Sequence, residues 1–422
     1  MKYSSARMII KSTLSCLCMS FITINSLAAQ EKSGRMFDFV KTSQAPDTIQ
    51  QYLKASESKY IRELKTPRFL LMNSDHNLAF GIGGAVELDM MYDFHAASND
   101  DSFQPGLIPV PYNPMQNSEF QISAYSSKLF FQLVGYNSFL KDFNIFIDFN
   151  FSGGRFKLRN AYFTSRGFLL GQAWSTFTDL AAIPPSTDPN EPGKFRVPQI
   201  RYTQTFGKHV EAALGIEMPK VSATYDSISL SMPQRIPNIP FYVQYQWNQS
   251  KSHLRASAVL RTMTYRDTLN HITRNQLGWE AKLSSSIAVT QALQLYGEVS
   301  YGEGNAAYVK DTQGADLDML PNPGHPGKLQ APPIFAFFGG LKYDLSEKLY
   351  VSGTYSQVHV YSDKGWELGD QYKIGQLIQA SLFWQPTDYF EWSMEYLFAR
   401  RTNNDREKNY GNRIKTAITL KF

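Results

Sequence analysis

Apolar and polar residues alternate one by one along much of this chain, and that alternation predicts strands rather than helices. Leu78, Phe80, Ile82, Val86, Leu88, Met90 and Tyr92 share one parity, with Glu87, Asp89, Met91 and Asp93 on the other. The period of two holds here for about sixteen residues, well beyond the five or six usual in soluble strands. Phe143, Ile145, Ile147, Phe149 and Phe151 repeat it against Asn144, Asp148 and Asn150. The stretches Leu254–Arg261, Gln276–Ser284 and Phe390–Phe398 repeat it again.

The connections carry as much information as the strands. Short turns fall at Asn137–Lys141, Ser165–Gly167, Phe206–His209, Asn248–Lys251, Val289–Gln291, Leu345–Glu347 and Gln385–Asp388. Longer segments interleave with them at His95–Asn117, Ser175–Arg196, Pro219–Pro240, Arg266–Thr273, Gly304–Ala331, Tyr361–Asp370 and Thr402–Tyr410. One short link, Ser152-Gly153-Gly154, stands in a long-loop place. Short turns on one rim and long loops on the other describe an all-β fold, a transmembrane antiparallel β-barrel of about sixteen strands. The short turns would face the periplasm and the long loops the exterior.

Composition changes the picture only by exclusion. Charged residues are 19% and aromatics 14% of the 422 residues, and no apolar run beyond the N-terminus reaches the length of a helical span. At the N-terminus, Lys2, Arg7 and Lys11 precede an apolar stretch to Leu27 and the small residues Ala28 and Ala29, the pattern of a secretory signal. Both cysteines, Cys16 and Cys18, lie within it, so the exported chain has no disulfide framework and no thiolate metal site. The formal charge of +5, less the three cations of that segment, leaves the rest close to neutral and gives no argument for nucleic acid.

Three segments follow: a signal peptide over 1–29, a periplasmic extension over 30–75, and a barrel over 76–422. Within the extension, which reads as a tether, Asp47 starts a helical pattern carrying Ile49, Tyr52, Leu53, Tyr60, Ile61 and Leu64, stopped by Pro67. At the other end Ile414, Ile418, Leu420 and the terminal Phe422 share a face, as in the last strand of bacterial outer-membrane barrels. The expected location is therefore the outer membrane of a Gram-negative bacterium, in contact with its lipids.

The stretch Arg155–Leu180 carries the candidate chemistry. As a strand it places Arg155, Lys157 and Arg159 on one face and Phe156, Leu158 and Tyr162 on the other. A cation facing lipid at mid-bilayer costs roughly 2–4 kcal/mol, so three in a row are assigned to the lumen. The same argument sends Arg201, Arg255, Arg261, Lys282 and Lys342 inward. A row of such groups gives a positive field that favours anions, and guanidinium suits carboxylates because its fork meets two oxygens. The alternative is that the cations only balance inward acids: Glu87, Asp89, Asp148, Glu211, Glu217, Glu280 and Glu298. Residue parity leaves both readings open.

The proline-rich segment Ser175–Arg196 is a candidate constriction loop, with Asp179, Asp188 and Glu191 facing the basic wall across the pore. The competing reading is an exposed loop stiffened by its prolines. The seven histidines are scattered without metal-ligand spacing, and no cofactor or metal is expected. A barrel enzyme of lipase or protease type would need a rim-level Ser or acid/His group, and none stands out; a structural barrel with a plugged lumen is the other alternative to a porin.

YSSKLFFQL (Tyr125–Leu133), FNIFIDFNFSG, FKLRNAYFTSRGFLLGQAWSTFTDL and FRVPQIRYTQTF (Phe195–Phe206) resemble, in order and spacing, the DcaP-like trimeric porin family. The resemblance spans Ser118–Met218. It implies a barrel of the size read above, assembled as a homotrimer and passing small carboxylates, notably dicarboxylic acids. Arg159, Gln172, Trp174, Asp179, Gln199 and Arg201 occupy its motif positions, and it places Arg159 and Arg201 in the pore. Asn160 and Lys128 depart from it, standing where more basic residues are expected, and the N-terminal extension is no obvious coiled coil.

Overall fold

The computed structural model describes residues 37–60, 62–63, 66–96, 103–187, 195–361 and 368–422. The signal-peptide reading, together with Asp188, Glu191, Ile61 and Leu64, lies outside them.

The long alternating run becomes β3 (Leu78–His95), and its neighbour is built in two pieces, β4 (Glu119–Ser123) and β5 (Lys128–Asn137). The wall continues through β6 (Lys141–Asn150), β7 (Lys157–Ser165), β8 (Phe168–Trp174), β9 (Arg196–Phe206) and β10 (Val210–Glu217). A second two-piece strand follows, β11 (Ser229–Ser231) and β12 (Ile239–Trp247), then β13 (Ser252–Asp267), β14 (Ile272–Ala288) and β15 (Leu293–Glu303). A small loop hairpin, β16 (Leu320–Pro321) with β17 (Leu329–Gln330), precedes β18 (Pro333–Ser346), β19 (Leu349–Val360), β20 (Tyr372–Trp384), β21 (Phe390–Asn403) and β22 (Lys408–Lys421). Every pairing in the wall is antiparallel, and β22 returns to β3 through Ala417↔Asp89 and its neighbours, closing a barrel of 16 strands.

Closure matters because a lipid-exposed sheet edge would leave backbone groups without partners. At the seam Phe422 and Gly84 exchange two backbone hydrogen bonds, of 3.0 and 2.9 Å. A Cβ on Gly84 would stand 2.6 Å from the Phe422 ring, so the terminal aromatic and the glycine fit only as a pair.

The two parities go to two solvents. Ile82, Val86, Leu88, Ile145, Leu254 and Leu283 are exposed on the outer surface, where lipid would cover them. Glu87, Asp89, Asp148, Arg255, Glu280 and Lys282 are buried inside. Connections alternate between opposite rims at the places the pattern predicts, but two expected longer ones are tight turns because the strands run further than the pattern shows: only residues 268–271 join β13 to β14 and 404–407 join β21 to β22.

The region before the barrel is not a hanging tether. β1 (Phe37–Lys41) pairs with β2 (Phe69–Asn73), and β2 pairs with the start of β3, extending the wall on the short-turn side. Between them α1 (Asp47–Ser56) is shorter than the helical pattern predicts. Its Ile49 and Leu53 pack on Leu70, Met72, Ala79 and Val134, the inner face of the wall. After Ser56 the chain leaves the helix at Glu57, whose backbone is extended, and enters the barrel.

Candidate functional site

Charged side chains converge where β7, β8 and β9 meet the loop after β8. The register of β6 and β7 slips between Asp148 and Phe149: Asp148 opposes Asn160 and Phe149 opposes Leu158, leaving Arg159 as the extra residue of a bulge. A bulge re-aims side chains, and here it corrects the simple alternation. Arg159 and Asn160 both serve the interior, and Tyr162, expected on the lipid face, turns inward and stacks on Phe146 at 5.5 Å. Gln172 braces the bulge by donating to the Arg159 carbonyl at 2.9 Å. Beside it Gly171 (φ +127°) leaves room for the Ala161 carbonyl, which a Cβ would meet at 2.2 Å.

Arg159 reaches Asp148 at 3.3 Å and donates to Glu63 at 2.8 Å. Arg196, which pattern reading missed because it closes a loop, donates to the same Glu63 oxygen at 3.1 Å and to Asn160 at 3.0 Å. Its guanidinium lies 3.5 Å over the Trp174 ring, and Trp174 Nε1 donates to the other Glu63 oxygen at 3.2 Å. Gln199 donates to the Trp174 carbonyl at 2.6 Å and accepts from Thr176, fixing the start of the loop. Gln172, Trp174 and Gln199 are thus what hold the cationic groups in place.

Residues 175–187 run inside the barrel. Ser175 and Thr176 bind Glu217, Ser186 and Thr187 bind Glu395, and Phe177 is buried under Lys282 at 4.1 Å. Asp179 accepts from His253 and Ser284, each at 2.7 Å, with Arg255 at 3.7 Å. Burial opposes its charge, but Arg255 and the two hydrogen bonds hold its carboxyl far below the usual range. The loop therefore crosses the lumen, and Asp179 faces fixed partners instead of open water.

The other cations divide sharply. Arg255 is buried, donating to Gln244 at 2.9 and 2.8 Å and to the Thr178 carbonyl at 3.2 Å. Arg261 is fully enclosed: it donates to Asp318 and to the Gly304 carbonyl, both at 2.7 Å, so it anchors the loop after β15 and cannot touch a passing solute. Arg155 precedes β7 at the hairpin and Lys157 opens the strand; both are exposed, and neither has an ion-pair partner among the described residues. Arg201 differs from all of these. It is half-buried, makes no ion pair among the described residues, and its Nε has no acceptor. It lines a cavity of about 650 Å³ with Arg255, Tyr162, Tyr242, Trp174 and Glu63.

A second cavity of about 1150 Å³ lies toward the short-turn rim, lined by Glu63, Arg62, Glu391, Tyr350 and Lys421 among others. Glu57 and Glu63 border both cavities, so the segment entering from α1 stands between them. No helix among the described residues is long and apolar enough to cross a membrane.

The same architecture occurs in solved structures. The outer membrane channel DcaP of Acinetobacter baumannii superposes with a TM-score of 0.71 at 17% identity, covering 83% of this chain and 99% of its own. An anion-selective porin from Comamonas acidovorans gives 0.51 at 10%, covering 82% and 100%. The trimer form of OmpT from Vibrio cholerae gives 0.53 at 11%, with the same coverages. At these identities the likeness is one of fold. No curated protein matches. A family model described as the porin subfamily matches residues 127–421, most of the barrel, and the chain belongs to that subfamily: it is an outer-membrane porin of Gram-negative type, a channel for passive diffusion and not an enzyme.

Proposed function

We propose that this porin passes small hydrophilic solutes with a preference for anions, carboxylates and dicarboxylates in particular, and works as a homotrimer. The observation that carries the preference is Arg201, a lumenal guanidinium that makes no ion pair among the described residues, set on the wall of the cavity with Arg255. In a narrow low-dielectric channel an uncompensated guanidinium raises the local concentration of anions, and its fork suits a carboxylate. The Asp179 charge, which would oppose this, is spent on His253, Ser284 and Arg255. The anion-selective and trimeric character named for relatives of the same fold supports the reading.

The test is the reversal potential of the purified porin in a planar bilayer under a KCl gradient. A potential of anion-selective sign is expected; a cation-selective sign ends the preference, and a silent bilayer with folded protein ends the channel reading. A barrel plugged for a structural role is the second reading, favoured by the chain that enters the lumen after α1, and conductance separates it from the first.

A further inference from the structure

The residues after α1 bring two opposite charges to two walls of the lumen. Arg62 donates to Glu391 at 2.5 Å on one side and to the carbonyl of Ser186, in the loop after β8, at 2.6 Å. Glu63 is only 8% exposed at its side chain and accepts from Arg159, Arg196 and Trp174 among the described residues. Two forks and an indole N–H around one carboxylate are the donor set of a carboxylate-binding site. The occupant belongs to the chain itself.

We propose that Arg159, Arg196 and Trp174 form a carboxylate site in the pore whose resident ligand is Glu63, making the segment around it a tethered plug that a solute carboxylate displaces. This rests on the proposed passage of carboxylates and names where they compete. The anchor and the plug are held by different forces. Helix α1 is fixed by the apolar cluster of Ile49, Leu53, Leu70, Met72, Ala79 and Val134, which no solute can replace. Among the described residues beyond it, apart from the buried Tyr60, the contacts are mainly those of charged side chains: Lys59 to Glu211 at 3.3 Å, Arg62 to Glu391, the Ser186 carbonyl and the Phe383 ring, and Glu63 to its three donors. Of these, the three donors of Glu63 can be taken over by a solute carboxylate at small net cost.

Charge accounting points the same way. With Glu63 in place, Arg159 and Arg196 are matched by Glu63 and Asp148. With Glu63 gone, one positive charge is uncompensated at the place Glu63 now occupies, on the border of both cavities. Displacement would thus join the cavities and make the pore more anion-attracting in one event.

The experiment compares full-length porin with its Glu63→Gln variant in planar bilayers, using succinate as the probe that reduces chloride current. The variant should conduct more, shift its reversal potential toward anions, and bind succinate roughly fivefold or more tightly, because the competent state no longer has an internal competitor. Unchanged conductance and unchanged succinate affinity in a folded variant, with an anion-selective wild type, overturn the plug. A cation-selective wild type ends the proposed preference instead, and the plug is then judged by conductance alone, where no increase overturns it. Folding is read from heat-modifiable electrophoretic mobility. Should Glu63→Gln not fold, Arg62→Gln frees the same segment from the opposite wall, and no rise in its conductance overturns the proposal.

Discussion

Two groups of lumenal arginines share one residue type yet have opposite fates. On β13, Arg255 and Arg261 point inward as the alternation requires, and are then consumed by Gln244, Thr178, Asp318 and Gly304. Around β7 to β9, Arg159 and Arg196 share a carboxylate from a distant segment, Arg159 also pairing with Asp148 on the next strand, and Arg201 makes no ion pair among the described residues. The difference lies in what folds over them. Loops after β8 and β15 descend onto β13 and bring acids and carbonyls, whereas the β7–β9 wall faces the cavities. Pointing into a lumen makes a charge affordable; availability to a solute depends on what else folds in.

The largest expected effect falls on the consumed group. Arg261→Met leaves the fully buried Asp318 without its partner, which should cost about 3–5 kcal/mol and lower the temperature at which the folded barrel converts to the unfolded band. Replacing Asp318 as well with an apolar residue should recover much of that loss, since an ion pair closed off from water is often neutral against a packed apolar pair. If the single variant melts like the wild type, Arg261 is not the anchor described here.

On the β7–β9 group the larger effect should be on transport. Arg159→Ala combined with Arg201→Ala should reduce liposome uptake of succinate more than that of a neutral sugar of similar size, while Lys157→Ala, altering an exposed rim residue, should change neither. Equal loss of both solutes would assign the two arginines to pore width.

The smallest expected effect concerns the loops that cover β20. Asp311 accepts from the Gly106 N–H at 2.7 Å and from the Tyr372 hydroxyl, so it joins the loop after β15 to the loop after β3. Burial pushes its carboxyl up to about 6, which means that the docked loops hold a proton the undocked ones release. Docking should therefore be favoured as pH falls through about 6 and weakened above it, read as slower amide exchange over 304–331 at pH 5 than at pH 8 after correction for intrinsic rates. Exchange that is equal or slower at pH 8 would contradict the assignment.

Much of the wall was legible in the chain, because lipid on one side and water on the other enforce the period of two. Tyr162 was misplaced because one extra residue in a bulge inverts every later position, and neither Arg159 nor Asn160 announces that bulge locally. Arg155, Lys157 and Arg159 read as a single cationic row, but the first lies before the strand begins. Arg196 gave no signal, since its importance comes from Trp174 beneath it and Glu63 opposite it. Glu63 itself sat in a polar stretch that looked like a tether.

What the sequence by itself determined is the partition of residues between lipid and lumen, the strand and turn rhythm, and the seam at Phe422. Each follows from local spacing and from the cost of placing charge or unpaired backbone in hydrocarbon. Only the tertiary structure decided which lumenal cations remain open and which are closed off. That outcome depends on contacts between residues as far apart as Glu63 and Arg196 or Arg261 and Asp318, made by segments that fold inward from both rims, and no local period encodes them.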